Sequence, residues 1–397
     1  MLLDKVFPPD IRVDKEARTL LSAGHQVFLL SRRINDLPSE ELIDGTRVVR
    51  KNESRKLPKK AWDFFQFLAF FVHPFWENAL REAAIRCQAE AIHVHDLPLV
   101  KTGLSIARKL SIPLIADLHE NYPEAIKAYP PSWKAKLIKP IMLKRWKQVE
   151  KTSVRQADRI ISVVDEARQH YVSNCGIPAE KVTVVMNTED LDYFYSLPIQ
   201  EEIIKQYEPY FTISYIGGFG RHRGIETAIS AMPEILSEIR NARLILVGSG
   251  VNEKELRELA RKKGMDDAVE FTGWQPFNLV PSYIVTSKVC LIPHIASGHT
   301  NSTIPHKLFQ YLAMGKPVVV SSAKPLARIV QETGAGLVYP SGDAGALARA
   351  VISIYQDKKL AARFGDAGRR AVKEKYNWSM EGEKLVNLYR DLEKSSK

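Results

Sequence analysis

The 397-residue chain predicts an α/β protein built from two doubly wound parallel sheets. Short apolar runs alternate with helical stretches along its whole length, the pattern of parallel strands joined by crossover helices. The chain is also long for a single core. The alternation lapses once, near 188–209, and then restarts, which places a linker there and a ligand cleft between the carboxyl ends of two sheets.

In the first half, MLLDKVFPPD offers only the end of a strand before Pro8. A helix over about 11–23 follows, with Asp10 as N-cap and Gly24 as C-cap. QVFLLS is a strand. AIHVHD at 91–96, PLIADLHE at 113–120, RIISVV at 159–164 and KVTVVMN at 181–187 are four more.

In the second half, YFTISYIGG at 210–218 is a strand, followed by a helix near 224–239. RLILVG at 243–248 and a helix near 252–264 continue the series. AVEFTG, VCLIPH, PVVVSS and GLVYP complete it. Residues 376–397 form one more amphipathic helix. The domains are read as 1–195 and 196–375, with 376–397 packing back toward the first.

The segment HTNSTIPHKLFQYLAMGKPVVV at 299–320 carries the most chemistry. It reads as a loop, a helix with Pro305 in its first turn, about ten helical residues, a stop at Gly315 and a buried strand. Such a helix start offers free N–H groups and a positive dipole end, which suit a phosphate. Lys307 adds a charge, and Gln310 lies on the same side of the helix.

Composition excludes several classes. An apolar content of 45% indicates a globular chain. Cys87, Cys175 and Cys290 are odd in number and far apart, without zinc spacing, which fits free thiols in the cytosol. The N-terminus has no signal-peptide pattern, and no apolar run reaches the roughly 20 residues that span a bilayer.

The net charge of +11 is concentrated. Residues 47–60 carry Arg47, Arg50, Lys51, Arg55, Lys56, Lys59 and Lys60 against Glu53 alone. Residues 127–159 hold a second such run. Aromatics crowd KAWDFFQFLAFFVHPFW at 60–76, and WKAKLIKPIMLKRWKQ at 133–148 interleaves basic with apolar residues and Trp. Basic amphipathic helices with Trp suit an anionic membrane surface, so 47–76 and 127–159 are read as a docking patch. The plainer reading makes 62–76 a core helix and 133–148 a solvated one. No nucleic-acid module is present, so nucleic acid is not expected as a partner.

Two motifs mislead. Gly218-Phe219-Gly220-Arg221-His222-Arg223-Gly224 approaches GxGxxG but lacks the third Gly in place, and no acidic residue completes a dinucleotide pattern. Asp190-Leu-Asp192 looks like a metal-binding Asp-x-Asp, but it stands at the linker, and no metal site is expected.

The order and spacing of the motifs resemble the family 4 glycosyltransferases, retaining enzymes of the GT-B fold with two Rossmann-like domains. FPPDIRVDKEARTLLSAGHQV at 7–27 resembles the family's first loop and helix. HVHDLP at 93–98 and DLHENYPE at 117–124 resemble two strand ends of the first domain. ADRIISVVDEAR at 157–168 and VMNTEDLDYF at 185–194 resemble the approach to the linker. YIGGFGRHRGIETAI at 215–229 and LVGSG at 246–250 resemble the opening of the donor domain. IPHKLFQYLAMGKPVVVS at 304–321 is the most specific likeness.

The resemblance implies a nucleotide-sugar donor, first of all a UDP-sugar, and a glycan or lipid-linked acceptor. It implies no cofactor and no metal. It assigns Arg223 and Lys307, with the backbone at Thr303 and Ile304, to the diphosphate, and His119 to the donor sugar. On the residues alone, His119 could equally cap a strand, and Arg223 and Lys307 could be solvated. Gly217, Gly218, Gly248, Trp274, His299 and Asn301 join the implied donor site. Asp10, Arg12, His95, Asp96 and Glu120 are placed on the acceptor side. The protein would work in the cytoplasm, with a peripheral position on the inner face of the plasma membrane as the further expectation.

The departures are as informative. Where the family carries two Glu residues eight positions apart, the first on the donor sugar and the second on the ribose hydroxyls, this chain has Ser302 and Gln310. Gln310 accepts a hydrogen bond without charge, and Ser302 offers no carboxylate. Gly218 stands where many members carry Arg. Two alternatives follow, a catalytically silent nucleotide-binding or partner subunit and a nucleotide-sugar 2-epimerase. Family members also have more residues before FPPD, so Met1 is open as the natural start.

Overall fold

The computed structural model describes residues 1–34, 36–52, 68–128 and 139–395. The chain divides into two compact units, Met1–Met186 joined by the segment from Glu381, and Asn187–Met380. The division falls earlier than the expected 195. The last helix, Trp378–Ser395, runs from the second unit's residues into the first unit's. Residues 188–209, read as irregular, hold the helices Leu191–Ser196 and Glu201–Tyr207. Asp190 caps the former by accepting from Tyr193 N at 3.2 Å.

Among the described residues the first unit has eight strands: β1 Leu2–Val6, β2 Phe28–Arg32, β3 Glu40–Ile43, β4 Thr46–Lys51, β5 Ile92–His95, β6 Leu114–Leu118, β7 Arg159–Ser162 and β8 Val182–Val184. Their order is β3-β4-β2-β1-β5-β6-β7-β8, parallel except for β3 against β4. The helix Ile11–Ser22 starts where expected, with Asp10 Oδ1 accepting from Val13 N at 3.2 Å. Its last residue is capped by Ala23, and Gly24 follows at φ 93°. The helix Leu97–Leu110 packs so closely that a Cβ on Gly103 would come within 2.6 Å of Val94.

The hairpin β3–β4 is absent from the sequence reading, which saw only charge there. Its signal was Asp44-Gly45, a two-residue loop with both φ positive between Ile43 and Thr46. Arg50 is consequently no surface residue. It is 1% exposed and donates to Phe7 O, Pro38 O and Glu41 Oε2.

The docking patch needs a further correction. Trp146, on the helix Lys139–Val154, is buried edge-on against Phe71 and Tyr122. Phe71 and Trp76 are buried too, while Phe70 and Ile141 are 67% and 63% exposed. Residues 53–67 and 129–138 of the patch, including Arg55, Lys56, Lys59 and Lys60, lie outside the described residues. Among the described residues no helix is long and apolar enough to cross a membrane.

The second unit has six parallel strands: β9 Phe211–Ile216, β10 Ala242–Val247, β11 Val269–Gly273, β12 Val289–Ile292, β13 Val318–Ser321 and β14 Gly336–Tyr339. Their order is β11-β10-β9-β12-β13-β14. Chain direction across the sheet reverses between β9 and β12, so the loops after these two strands flank a crevice. Ile213, Tyr215, Leu244, Leu246 and Leu291, all nearly inaccessible, belong to its core.

Candidate functional site

In the second unit, the switch point collects the loop after β9, the loop after β12 and the helix His306–Ala313. That helix is eight residues long, shorter than expected, and Pro305 precedes it as N-cap. Lys307 is buried at 8% exposure, and among the described residues Nζ has no hydrogen-bond acceptor. It sits 3.7 Å from the centroid of the Tyr215 ring.

Two glycines make room for it. Gly217 has φ 135°, and a Cβ there would approach Lys307 Nζ to 2.6 Å. Gly248, also at φ 135°, would drive a Cβ to 2.2 Å from Gly217 O. Both positions therefore demand glycine on conformational and steric grounds. Gly218 is roomier, with only Ser249 O within 3.9 Å.

Arg223 ends a short 3-10 turn, Arg221–Arg223. Gly224 follows in the left-handed region, where a Cβ would strike Pro293 O, so the loop after β9 is pinned to the end of β12. Arg223 Nη1 donates to His294 Nε2 at 3.1 Å. The proton of His294 must then sit on its other ring nitrogen. Burial first, and Arg223 next, hold His294 neutral, and the same causes bring His222 down to about 3 and His299 to about 4.

Burial and then Arg223 likewise depress Lys307 well below the usual lysine range. The nearby ring face would favour the charged amine. The loss of hydration is the larger effect for a fully enclosed amine, so the lowered direction prevails. Among the described residues neither Lys307 nor Arg223 has a carboxylate partner. Among the described residues the crevice thus holds the Arg223 guanidinium and the Lys307 amine without an anion, ringed by neutral imidazoles.

The remaining expected donor residues are variously engaged. Ser302 is buried, and its hydroxyl donates to Gly298 O and to His299 O. Asn301 Oδ1 accepts from Lys324 N at the start of the next helix. Ile304 is buried, its carbonyl accepting from Asn187 Nδ2 at 3.0 Å. Gln310 Nε2 donates to Glu189 Oε2 at 2.7 Å, a partner the sequence reading did not single out. Trp274 stands 72% exposed just after β11.

The first unit has its own buried cluster, centred on Asp117. Asp117 Oδ2 lies 2.7 Å from His119 Nε2 and 3.2 Å from His95 Nδ1. Arg12 grips the same carboxylate through Nε at 3.1 Å and Nη2 at 2.8 Å. Arg12 also meets Glu16 Oε1 at 3.0 Å and donates to Val185 O. Arg12 and His95 are therefore interior, at 3% and 1% exposure, and do not present themselves to an acceptor as expected. The cause is strand register: β5 pairs His95 with Asp117 on β6. Asp96, with Lys5 at 3.7 Å and His119 at 3.6 Å, remains part-exposed, as do Asp10 and Glu120.

Burial alone would lower the pKa of His119. Asp117 and Asp96 outweigh it and hold it at about 9. Burial raises the Glu16 carboxyl and keeps His95 neutral. Ligand atoms of Glu16, His93, His95 and Asp117 lie within 4.8 Å of one another, close enough for a metal. The Asp117 oxygens are already committed to Arg12, His95 and His119, which makes this a charge network instead. A second group, Glu150, His170 and Cys175, contains a thiol that burial pushes up to about 12, whereas a metal takes a thiolate.

Residues 198–371 match the family model of glycosyl transferases group 1, and residues 11–193 match that of glycosyltransferase family 4. An alpha-D-kanosaminyltransferase of Streptomyces kanamyceticus is 23% identical over 292 residues, 72% of each chain. The sucrose-phosphate synthase of Thermosynechococcus elongatus superposes with TM-score 0.78 at 22% identity, covering 97% of this chain and 93% of that one. Anabaena HepE, solved with UDP-glucose, superposes with TM-score 0.73 at 13% identity over 98% of both chains. These structures share the GT-B fold of two Rossmann-like domains.

Proposed function

Because the chain belongs to the family 4 glycosyltransferases, we propose that it moves a sugar from a nucleotide-sugar to a glycan or lipid-linked acceptor, with retention at the anomeric carbon. A UDP-sugar is the first candidate donor, in line with the UDP-glucose in HepE. The product would belong to a cell-surface polysaccharide or glycolipid.

The observation that carries the reading is the buried Lys307 amine, which lacks an acceptor and lies near Arg223. A diphosphate would satisfy both, and their positive charge would stabilise it as a leaving group. The acceptor hydroxyl attacks on the leaving-group face. Its oxygen bonds to the anomeric carbon as the phosphate oxygen departs, and that oxygen takes the hydroxyl proton. No protein nucleophile is needed, and orientation with charge stabilisation suffices. His119 is assigned to the transferred sugar. Arg12 and His95 act by holding Asp117 behind it, not by touching an acceptor.

We assign no metal and no cofactor to the reaction, a hexosyl transfer. Exposed Phe70, Ile141, Lys144 and Lys147 support a peripheral site on the inner membrane face, though with a smaller apolar surface than the sequence suggests. A second reading, nucleotide binding without transfer, draws on Ser302 and Gln310, neutral groups already bonded within the protein. Incubation with UDP-, GDP- and ADP-sugars in excess chelator separates the two. Turnover of one donor class supports transfer, whereas binding without any turnover supports the silent subunit. Strict dependence on Mg²⁺ or Mn²⁺ would sink metal independence.

A further inference from the structure

The Glu189–Gln310 pair carries an inference that rests on the donor-site reading above. Gln310 and Glu189 are 5% and 1% exposed, and the amide nitrogen meets the carboxylate at 2.7 Å. A carboxylate can only accept, so the nitrogen of Gln310 must be the atom that faces it. The amide oxygen is thereby turned away from Glu189. The other oxygen of Glu189 accepts from Asp190 N at 3.1 Å, which fixes the carboxylate in turn. The same stretch is tied to the helix entrance by Asn187 Nδ2 on Ile304 O. Lys307 and Gln310 are three positions apart, on one side of the helix.

We propose that Glu189 is a positioning residue of the donor site, holding the Gln310 carbonyl oxygen toward a ribose hydroxyl of the nucleotide. The helix lacks a carboxylate at this position, and the stretch before it supplies one from behind. The acceptor that meets the ribose is neutral, and the charge is set one residue deeper.

The substitution Gln310→Glu exposes the arrangement. It would place two buried carboxylates at hydrogen-bond distance, and one of them must then keep a proton. Such a group has a raised folded-state pKa, so its stability is present at low pH and lost as pH rises. Q310E should therefore lose more thermal stability than the wild type does between about pH 6 and pH 8. At pH 8 it should bind UDP about tenfold more weakly than the wild type does. E189Q should weaken UDP about threefold to tenfold by releasing the amide. The double variant E189Q/Q310E exchanges the two groups and should recover stability and affinity to within about threefold of wild type.

Inorganic pyrophosphate, which has no ribose, separates positioning from general damage. Its affinity should change less than about twofold in all three variants. A Q310E protein whose stability falls with pH no more than the wild type's does, a double variant no better than Q310E, or pyrophosphate weakened as much as UDP would each overturn the proposal. A wild-type protein that binds neither UDP nor GDP would overturn the donor-site reading and the ribose role together, while the stability comparison would still judge the pair.

Discussion

Lys307 Nζ lies 3.7 Å from the centroid of the Tyr215 ring with no hydrogen-bond acceptor of its own. An amine so enclosed, near Arg223, is held well below its usual pKa. An arriving diphosphate reverses that balance, because an adjacent anion favours the charged amine. UDP binding should thus be accompanied by proton uptake, and affinity should fall as pH rises. Calorimetry in two buffers of different ionisation heat measures the uptake. Lys307→Met should abolish it and weaken UDP about tenfold or more. Uptake that persists in Lys307→Met would assign the proton to His222, His294 or His299.

Gly217 and Gly248 test the same cradle sterically. Gly217→Ala pushes a Cβ against Lys307 Nζ, and Gly248→Ala pushes one against Gly217 O. Each also forces φ 135° on an L-residue. Both should lose UDP affinity by about tenfold or more. Gly218→Ala, in a roomier position, should bind UDP nearly as the wild type does. Equal effects from all three would mean that the glycines do not shape the site.

In the first unit, Asp117 holds His119 at about 9. A pKa raised above the unfolded value of about 6.5 adds stability that is complete below that pH and lost as pH rises through 9. Asp117→Asn should bring the His119 titration, followed by NMR, down toward the ordinary histidine range and flatten that alkaline loss. It should also cost about 3–5 kcal/mol, because Arg12 is left buried with one fewer partner. A His119 titration unmoved by Asp117→Asn would contradict the assignment.

The strands that position both sites were legible, because each was a short apolar run bounded by Gly, Pro or charge. The hairpin β3–β4 was not, since half of its strand residues are charged and only Asp44-Gly45 marked the turn. Arg223 and Lys307 could be named from resemblance, but their lack of an anion could not, since it depends on what folding places around them. Resemblance placed Arg12 and His95 on the acceptor side. Their burial follows from long-range partners 105 and 22 residues away in sequence. Glu189 went unnoticed for the same reason, at 121 residues from Gln310.

The basic-aromatic stretch divides into core and surface. Trp146→Ala should destabilise the protein by about 3–5 kcal/mol, as for any large buried aromatic. The pair Phe70→Ser and Ile141→Ser should leave the melting temperature nearly unchanged and weaken binding to vesicles containing anionic lipid. Wild-type protein that ignores such vesicles at low salt would remove the membrane proposal.

The crevice holding Arg223 and Lys307 is proposed to bind the diphosphate of a sugar donor that the protein turns over. Release of nucleoside diphosphate from UDP-, GDP- and ADP-sugars, measured in excess EDTA for wild type and Arg223→Ala, tests it most directly. The wild type should turn over one donor class, and Arg223→Ala should lose about a hundredfold in that rate. No turnover of any donor by the wild type, or an Arg223→Ala protein as fast as the wild type, would contradict it.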